Sequence, residues 1–162
     1  MTSKFTLKSI FPVVCILPLI FGLSAYIYFT FYKTQNPPPL HGMPLILLLT
    51  FTLIWLFFGE FRTKMIKVEL EDTFLTIRKF GGLSSTKKYL YKDLNGFKTS
   101  ILRSSAGNNE YLYFMQDGKK IGKISDLYHK NYLTMKKEIE LKLKDLGFET
   151  FSYADELKEI FI

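Results

Sequence analysis

Ser125, Asp126 and His129 are the residues of this 162-residue chain whose types could supply a nucleophile, an orienting carboxylate and a base. Acyl transfer needs the base within hydrogen-bond reach of the hydroxyl, with the carboxylate on its far side. These three instead fall where a helix is expected to start, and Ser and Asp commonly cap helix N-termini. Their spacing reads as capping. The other histidine, His41, lies beside the link between two apolar runs and reads as an interfacial polar residue rather than a proton site. Cys15, the single cysteine, sits inside the first apolar run. It has no second cysteine for a disulfide, too few companions for a structural zinc site, and no route to His129. Pro12-Val13-Val14 before it does not suit lipidation. No His, Cys or Asp cluster has metal-ligand spacing, and Gly81-Gly82 is explained by a strand turn rather than a phosphate loop. The chain reads as a protein that is not an enzyme, with no cofactor and no metal.

The charge balance is more informative. Residues 63–147 hold 17 Lys and Arg against 10 Asp and Glu, whereas residues 148–162 hold one Lys against four acids. A basic domain beneath an anionic leaflet gains about 1 kcal/mol per well-placed cation. Lys64, Lys67, Arg78, Lys79, Lys87 and Lys88 gather on the first three expected strands and form the candidate contact with anionic lipid head groups. No nucleic acid partner is expected. The aromatic residues follow strand alternation and are needed for a core, not for stacking bases.

Such a contact requires an anchor. Ile10–Tyr32 is a run of 23 residues without a charge, and Leu40–Gly59 adds 20 more. At about 1.5 Å per residue, each run covers the ~30 Å hydrocarbon layer of a bilayer. A backbone crossing lipid must satisfy its own hydrogen bonds, so each run is expected to be a helix, over about 10–32 and 40–59. Pro18 should kink the first or mark a packing contact. Lys33 to Asn36 and Pro37-Pro38-Pro39 form a short link, which makes the helices antiparallel neighbours. A cleaved signal peptide is the rival for the first run, with Lys4 and Lys8 before it and Leu23-Ser24-Ala25 as a cleavage site. The run is longer than the apolar region of about 7–15 residues that signal peptides use. Lys4, Lys8, Arg62, Lys64 and Lys67 flank the outer ends, against Lys33 in the link. The positive-inside rule then places both termini in the cytoplasm, for a multi-pass protein of the cell membrane. A protease added to intact cells should spare residues 63–162. It should cut Ser104–Asn109, expected to be an exposed polar loop, only after permeabilisation.

After Arg62 the pattern takes period two. Ile66, Val68 and Leu70, then Leu75 and Ile77, alternate with polar residues across Glu71-Asp72, which predicts a hairpin. Strands are also expected at Lys88–Tyr91, Phe97–Leu102, Tyr111–Met115 and Lys120–Ile124, with Asp117-Gly118 as a tight hairpin turn. Six short strands without intervening helices predict a small antiparallel sandwich or barrel. Tyr132, Met135, Ile139, Leu143 and Leu146 then line one face of an amphipathic helix over about 127–146, N-capped by Asn131 or Ser125 and C-capped by Gly147. The tail, residues 148–162, is amphipathic and carries a short helix at Tyr153–Ile160. The expected fold is an α+β membrane protein: a hairpin in residues 1–62, then a β-domain in residues 63–147 capped by its helix.

The stretches IKVELEDTFLTIRKF and YLYFMQDGKKIGKISDLYHKNYLTMKKEIELKLKDLG, behind two apolar helices, resemble membrane-anchored bacterial pleckstrin-homology-like proteins over residues 63–147. The resemblance implies a PH-like domain of seven strands, one more than the six read above. It also implies a head-group site near the first strand pair, which makes Lys67 and Arg78 positions to test. The function expected is a non-enzymatic, membrane-anchored interaction or scaffold module that binds a protein partner, itself, or the anionic membrane surface. The alternative is a transporter or channel accessory subunit whose hairpin carries the function. Ion pathways usually need ionisable residues at membrane depth, and the runs offer only hydroxyls such as Ser24, Thr30, Thr50 and Thr52.

Overall fold

The structure is a computed structural model that describes residues 1–33, 42–104 and 107–160. The expectations for the proline link and for His41 lie outside the described residues. Two helices, α1 (Leu7–Lys33) and α2 (Gly42–Lys64), are long and apolar enough to cross a membrane. Exposed Phe11, Leu17 and Phe21 on α1, and Leu47, Leu48 and Phe51 on α2, give them apolar surfaces. α2 outruns its apolar stretch because π-helical turns at Trp55–Phe61 lead into a last turn at Arg62–Lys64. Glu60 and Lys64, one turn apart, pair there at 2.5 Å.

The polar half holds two sheets. β1 (Lys67–Leu70), β2 (Phe74–Arg78) and β3 (Lys87–Leu90) form an antiparallel sheet in that order. β4 (Gly96–Ser104), β5 (Gly107–Gln116), β6 (Lys119–Ser125) and β7 (Asp145–Phe148) form the second, ordered β6-β5-β4-β7. The sheets do not close into a barrel. Alternation accounts for the inner faces: Val68, Leu70, Leu75, Ile77, Phe97, Leu112, Phe114 and Ile124 share one core with helix α3 (Tyr132–Lys142). Asp117 and Gly118 take φ of 49° and 72°, the left-handed pair that a tight hairpin turn needs.

Several expectations need correction. The second sheet is mixed, not antiparallel, because β7 runs parallel to β4. β7 is a strand beyond the six expected from the sequence. Gly147 lies within it and is not a helix cap. α3 stops at Lys142, and Leu143 is already extended. The Lys144 carbonyl accepts from the Phe97 N–H at 2.9 Å. Gly96, at φ 144°, makes that approach possible, since a Cβ there would overlap the same carbonyl. The stripe Tyr132, Met135, Ile139 and Leu143 is buried, but Leu146 has left the helix and is exposed. Asn131 is the residue before α3, yet its side chain makes no cap bond to the helix. Most of the polar stretch 104–109 is strand: Arg103 pairs with Asn108 and Ser104 with Gly107. Arg103 and Asn108 are exposed, so their polar side chains stay in water while the backbone completes its ladder.

The first six residues belong to the domain. The Ser3 N–H donates to the Val68 carbonyl at 2.8 Å, and the Leu70 N–H to the Met1 carbonyl at 2.6 Å. Asn131 closes the other end, accepting from the Lys4 N–H at 2.8 Å and donating to the Thr2 carbonyl at 2.9 Å. The segment therefore lengthens the β1 edge before α1 begins.

The sheets are in close contact at Gly122, where a Cβ would lie 2.7 Å from Ile77 Cδ1. Gly122→Ala is expected to destabilise the domain by about 1–3 kcal/mol through overpacking. Thermal or denaturant unfolding measures this, and an unchanged midpoint would show that the sheets can part there at no cost.

Candidate functional site

α2 ends in a cluster of rings. Phe80 stands 5.4 Å from Phe57 and 5.5 Å from Phe61, centroid to centroid. Phe80 has a left-handed backbone, φ 53°, which is unfavourable for a bulky residue unless its surroundings hold it. The next N–H, of Gly81, donates to the Met65 carbonyl at 2.6 Å. Ring contacts and this hydrogen bond pin the turn after β2 beneath the end of α2.

That placement brings Lys79, Ser84, Ser85 and Lys87 to the same cleft as Arg62. The β5–β6 hairpin contributes Lys119 and Lys120, and β4 contributes Lys98. The space between is an open cleft of about 920 Å³. Among the described residues, Lys158 from the tail helix α4 (Tyr153–Ile160) brings the basic side chains to seven, against the acids Glu149 and Asp155. Asp155 pairs with Lys158 at 3.1 Å on its own helix. Glu149 lies between two strands: one oxygen is 2.6 Å from Lys120 Nζ and the other 3.0 Å from Lys98 Nζ. The hydrogen bond from Lys120 chiefly, against burial as the next-largest effect and with help from Lys98, holds the Glu149 carboxyl below the usual carboxylate range. Lys120 also lies 4.2 Å above the Tyr113 ring. Among the described residues, neither Lys87 nor Lys119 has a carboxylate within ion-pair distance. Cations outnumbering acids in a concave site attract anions, and groups bearing phosphate suit several ammonium donors best.

The six cations singled out in the sequence separate. Lys79 and Lys87 line the cleft. Lys67 and Arg78, cross-strand partners, share Glu69 at 3.2 and 3.6 Å. Lys64 is paired with Glu60, and Lys88 lies 4.6 Å above the Phe74 ring. Sequence reasoning missed Arg62, Lys98, Lys119, Lys120 and Lys158 as parts of one site. Lys119-Lys120 beside the Asp117-Gly118 turn was the one local signal, since a turn projects its neighbours from the sheet.

Ser125, Asp126 and His129 form no relay. His129 is buried; its Nε2 donates to the Ile66 carbonyl at 2.9 Å, and its Nδ1 accepts from the Ser125 N–H at 3.2 Å. Ser125 Oγ accepts from the Tyr128 N–H, and Asp126 from the Glu110 N–H. The ring joins the exit of α2 to the turn before α3, and Phe5 packs against it at 5.6 Å. Burial holds the imidazole below its ordinary value. Protonation therefore favours the unfolded chain. The stability His129 contributes is complete above about pH 6.5 and is lost as pH falls through the lowered value. Wild-type melting temperature is expected to fall more steeply from about pH 7 to about pH 5 than that of His129→Gln. Parallel curves would contradict this.

Compared with protein-family models, curated proteins and solved structures, the chain matches none of them.

Proposed function

We propose that this chain is a non-enzymatic, membrane-anchored interaction module whose cationic cleft engages the phosphate groups of anionic lipids. The observation that carries the reading is the position of Arg62, which is both the start of the last turn of α2 and part of the cleft wall. If α2 crosses a bilayer, the cleft opens where head groups lie. The apolar helices supply the anchor. Pairing of the first residues with β1 keeps Met1 and the domain at one end of the hairpin, as two spans require. The positive-inside rule puts that end in the cytoplasm, beneath the anionic leaflet of a bacterial cell membrane. A PH-like reading of the domain is supported by its order. An edge segment plus β1–β3 is followed by three antiparallel strands and a helix packed on both sheets, and β7 is an addition to that plan.

The test uses full-length protein in nanodiscs of phosphatidylcholine with increasing phosphatidylglycerol. Native mass spectrometry should show phosphatidylglycerol retained in preference to phosphatidylcholine. Equal retention of the two lipids would refute the reading.

A further inference from the structure

The cleft already contains an anion, and it belongs to the chain. Glu149 leaves β7 and donates its N–H to the Thr99 carbonyl at 2.8 Å. This places its carboxylate between Lys98 and Lys120, where a phosphate group would bind. The three side chains are a fifth to a third exposed, at 34, 27 and 21% for Lys98, Glu149 and Lys120, so water and solutes reach them. Farther along, the tail is held much more firmly. Phe151 packs 5.6 Å from Tyr111 on the outer face of the second sheet. Glu156 binds Lys123 through both oxygens, at 2.8 and 2.7 Å, and accepts from the Tyr113 hydroxyl at 3.2 Å. The Lys123 side chain is only 4% exposed there. The tail thus has a firm anchor at Glu156 and an exchangeable clasp at Glu149.

We infer that Glu149 is a built-in competitor for the cleft: a phosphate-bearing anion binds by displacing its carboxylate from Lys98 and Lys120, which frees residues 149–152 while α4 stays docked. This rests on the reading of the cleft as an anion site. It adds that the site is partly closed by the chain itself. A monoanion that replaces Glu149 merely exchanges one negative charge for another at those two lysines. Clusters of anionic head groups, or a multiply charged phosphate, gain more from the remaining cations. Occupancy should therefore rise steeply with the anionic lipid fraction.

The experiment compares wild type, Glu149→Gln and Asp155→Asn, each full-length in nanodiscs. Both substitutions remove one negative charge from the same cleft, but only Glu149 sits between the two lysines. One arm titrates phosphatidylglycerol within the disc. The other adds inorganic pyrophosphate to pure phosphatidylcholine discs, separating a lipid source of phosphate from a soluble one. Glu149→Gln should lower the half-saturating anion level about fivefold, the worth of an exposed ion pair, and Asp155→Asn by much less. In wild type, anion binding should also speed amide hydrogen exchange at residues 149–152. Equal shifts for the two variants, or tail exchange unmoved by bound anion, would overturn the competitor role and leave the anion site standing. No anion binding in any of the three proteins would overturn both. Saturation by pyrophosphate but not by phosphatidylglycerol would support the competitor while refuting the lipid as its ligand.

Discussion

Full-length protein carrying Lys98→Gln with Lys120→Gln is expected to bind phosphatidylglycerol about 30-fold more weakly than wild type. The figure follows from two cations at about 1 kcal/mol each beneath an anionic surface. These two are chosen because they converge on a single carboxylate, at 3.0 and 2.6 Å, and so can converge on a phosphate. Lys67 with Arg78 makes the comparison: they too share one carboxylate, Glu69, but lie outside the cleft lining, and their double substitution should cost far less. Stability should change little in either case, since partly exposed ion pairs contribute about 0–1 kcal/mol. Native mass spectrometry of retained lipid reads the binding and a thermal melt reads the fold. Equal losses for the two pairs would mean that net charge alone, and not the cleft, recruits lipid.

Glu156→Gln has the largest structural effect expected. It removes a carboxylate that binds Lys123 through both oxygens, and the Lys123 side chain is 4% exposed. Breaking a buried pair from one side is strongly unfavourable, and with Glu156 itself 15% exposed the cost is about 2–4 kcal/mol. That energy resides in the docking of the tail. α4 has eight residues, too few to be stable as an isolated helix in water. Once undocked it should unfold, and amide exchange across residues 153–160 should accelerate by orders of magnitude while β4 and β5 keep their protection. Exchange at α4 identical to wild type would show that Phe151 and the end of α2 hold the tail without the ion pair.

The legible parts of this fold were those with a strong local pattern. Uncharged runs of 23 and 20 residues mark α1 and α2, and Val68, Leu70, Leu75 and Ile77 alternate into the core as period two requires. The Asp117-Gly118 turn could be read because its chemistry is local. β7 could not: Asp145-Leu146-Gly147-Phe148 has exposed residues throughout and exists through backbone pairing with β4. The edge formed by Met1–Phe5 was hidden for a similar reason, since its partners at Val68, Leu70 and His129 lie beyond two helices. The cleft was half legible. Lys79 and Lys87 were identified by charge clustering on neighbouring strands, but Arg62, Lys98, Lys120 and Lys158 come from four separate elements. Charge clustering along a sequence also overrated Lys67 and Arg78, because both share Glu69 and lie outside the lining of the cleft.

Ser85 is exposed, lines the cleft and carries none of its charge. A photo-reactive benzoylphenylalanine in its place, activated in native membranes, reports directly on what fills the cleft. The expected adducts carry the added mass of an anionic phospholipid and are reduced in the Lys98→Gln, Lys120→Gln background. Adducts only to other proteins, or lipid adducts that ignore both lysines, would contradict a lipid-binding cleft.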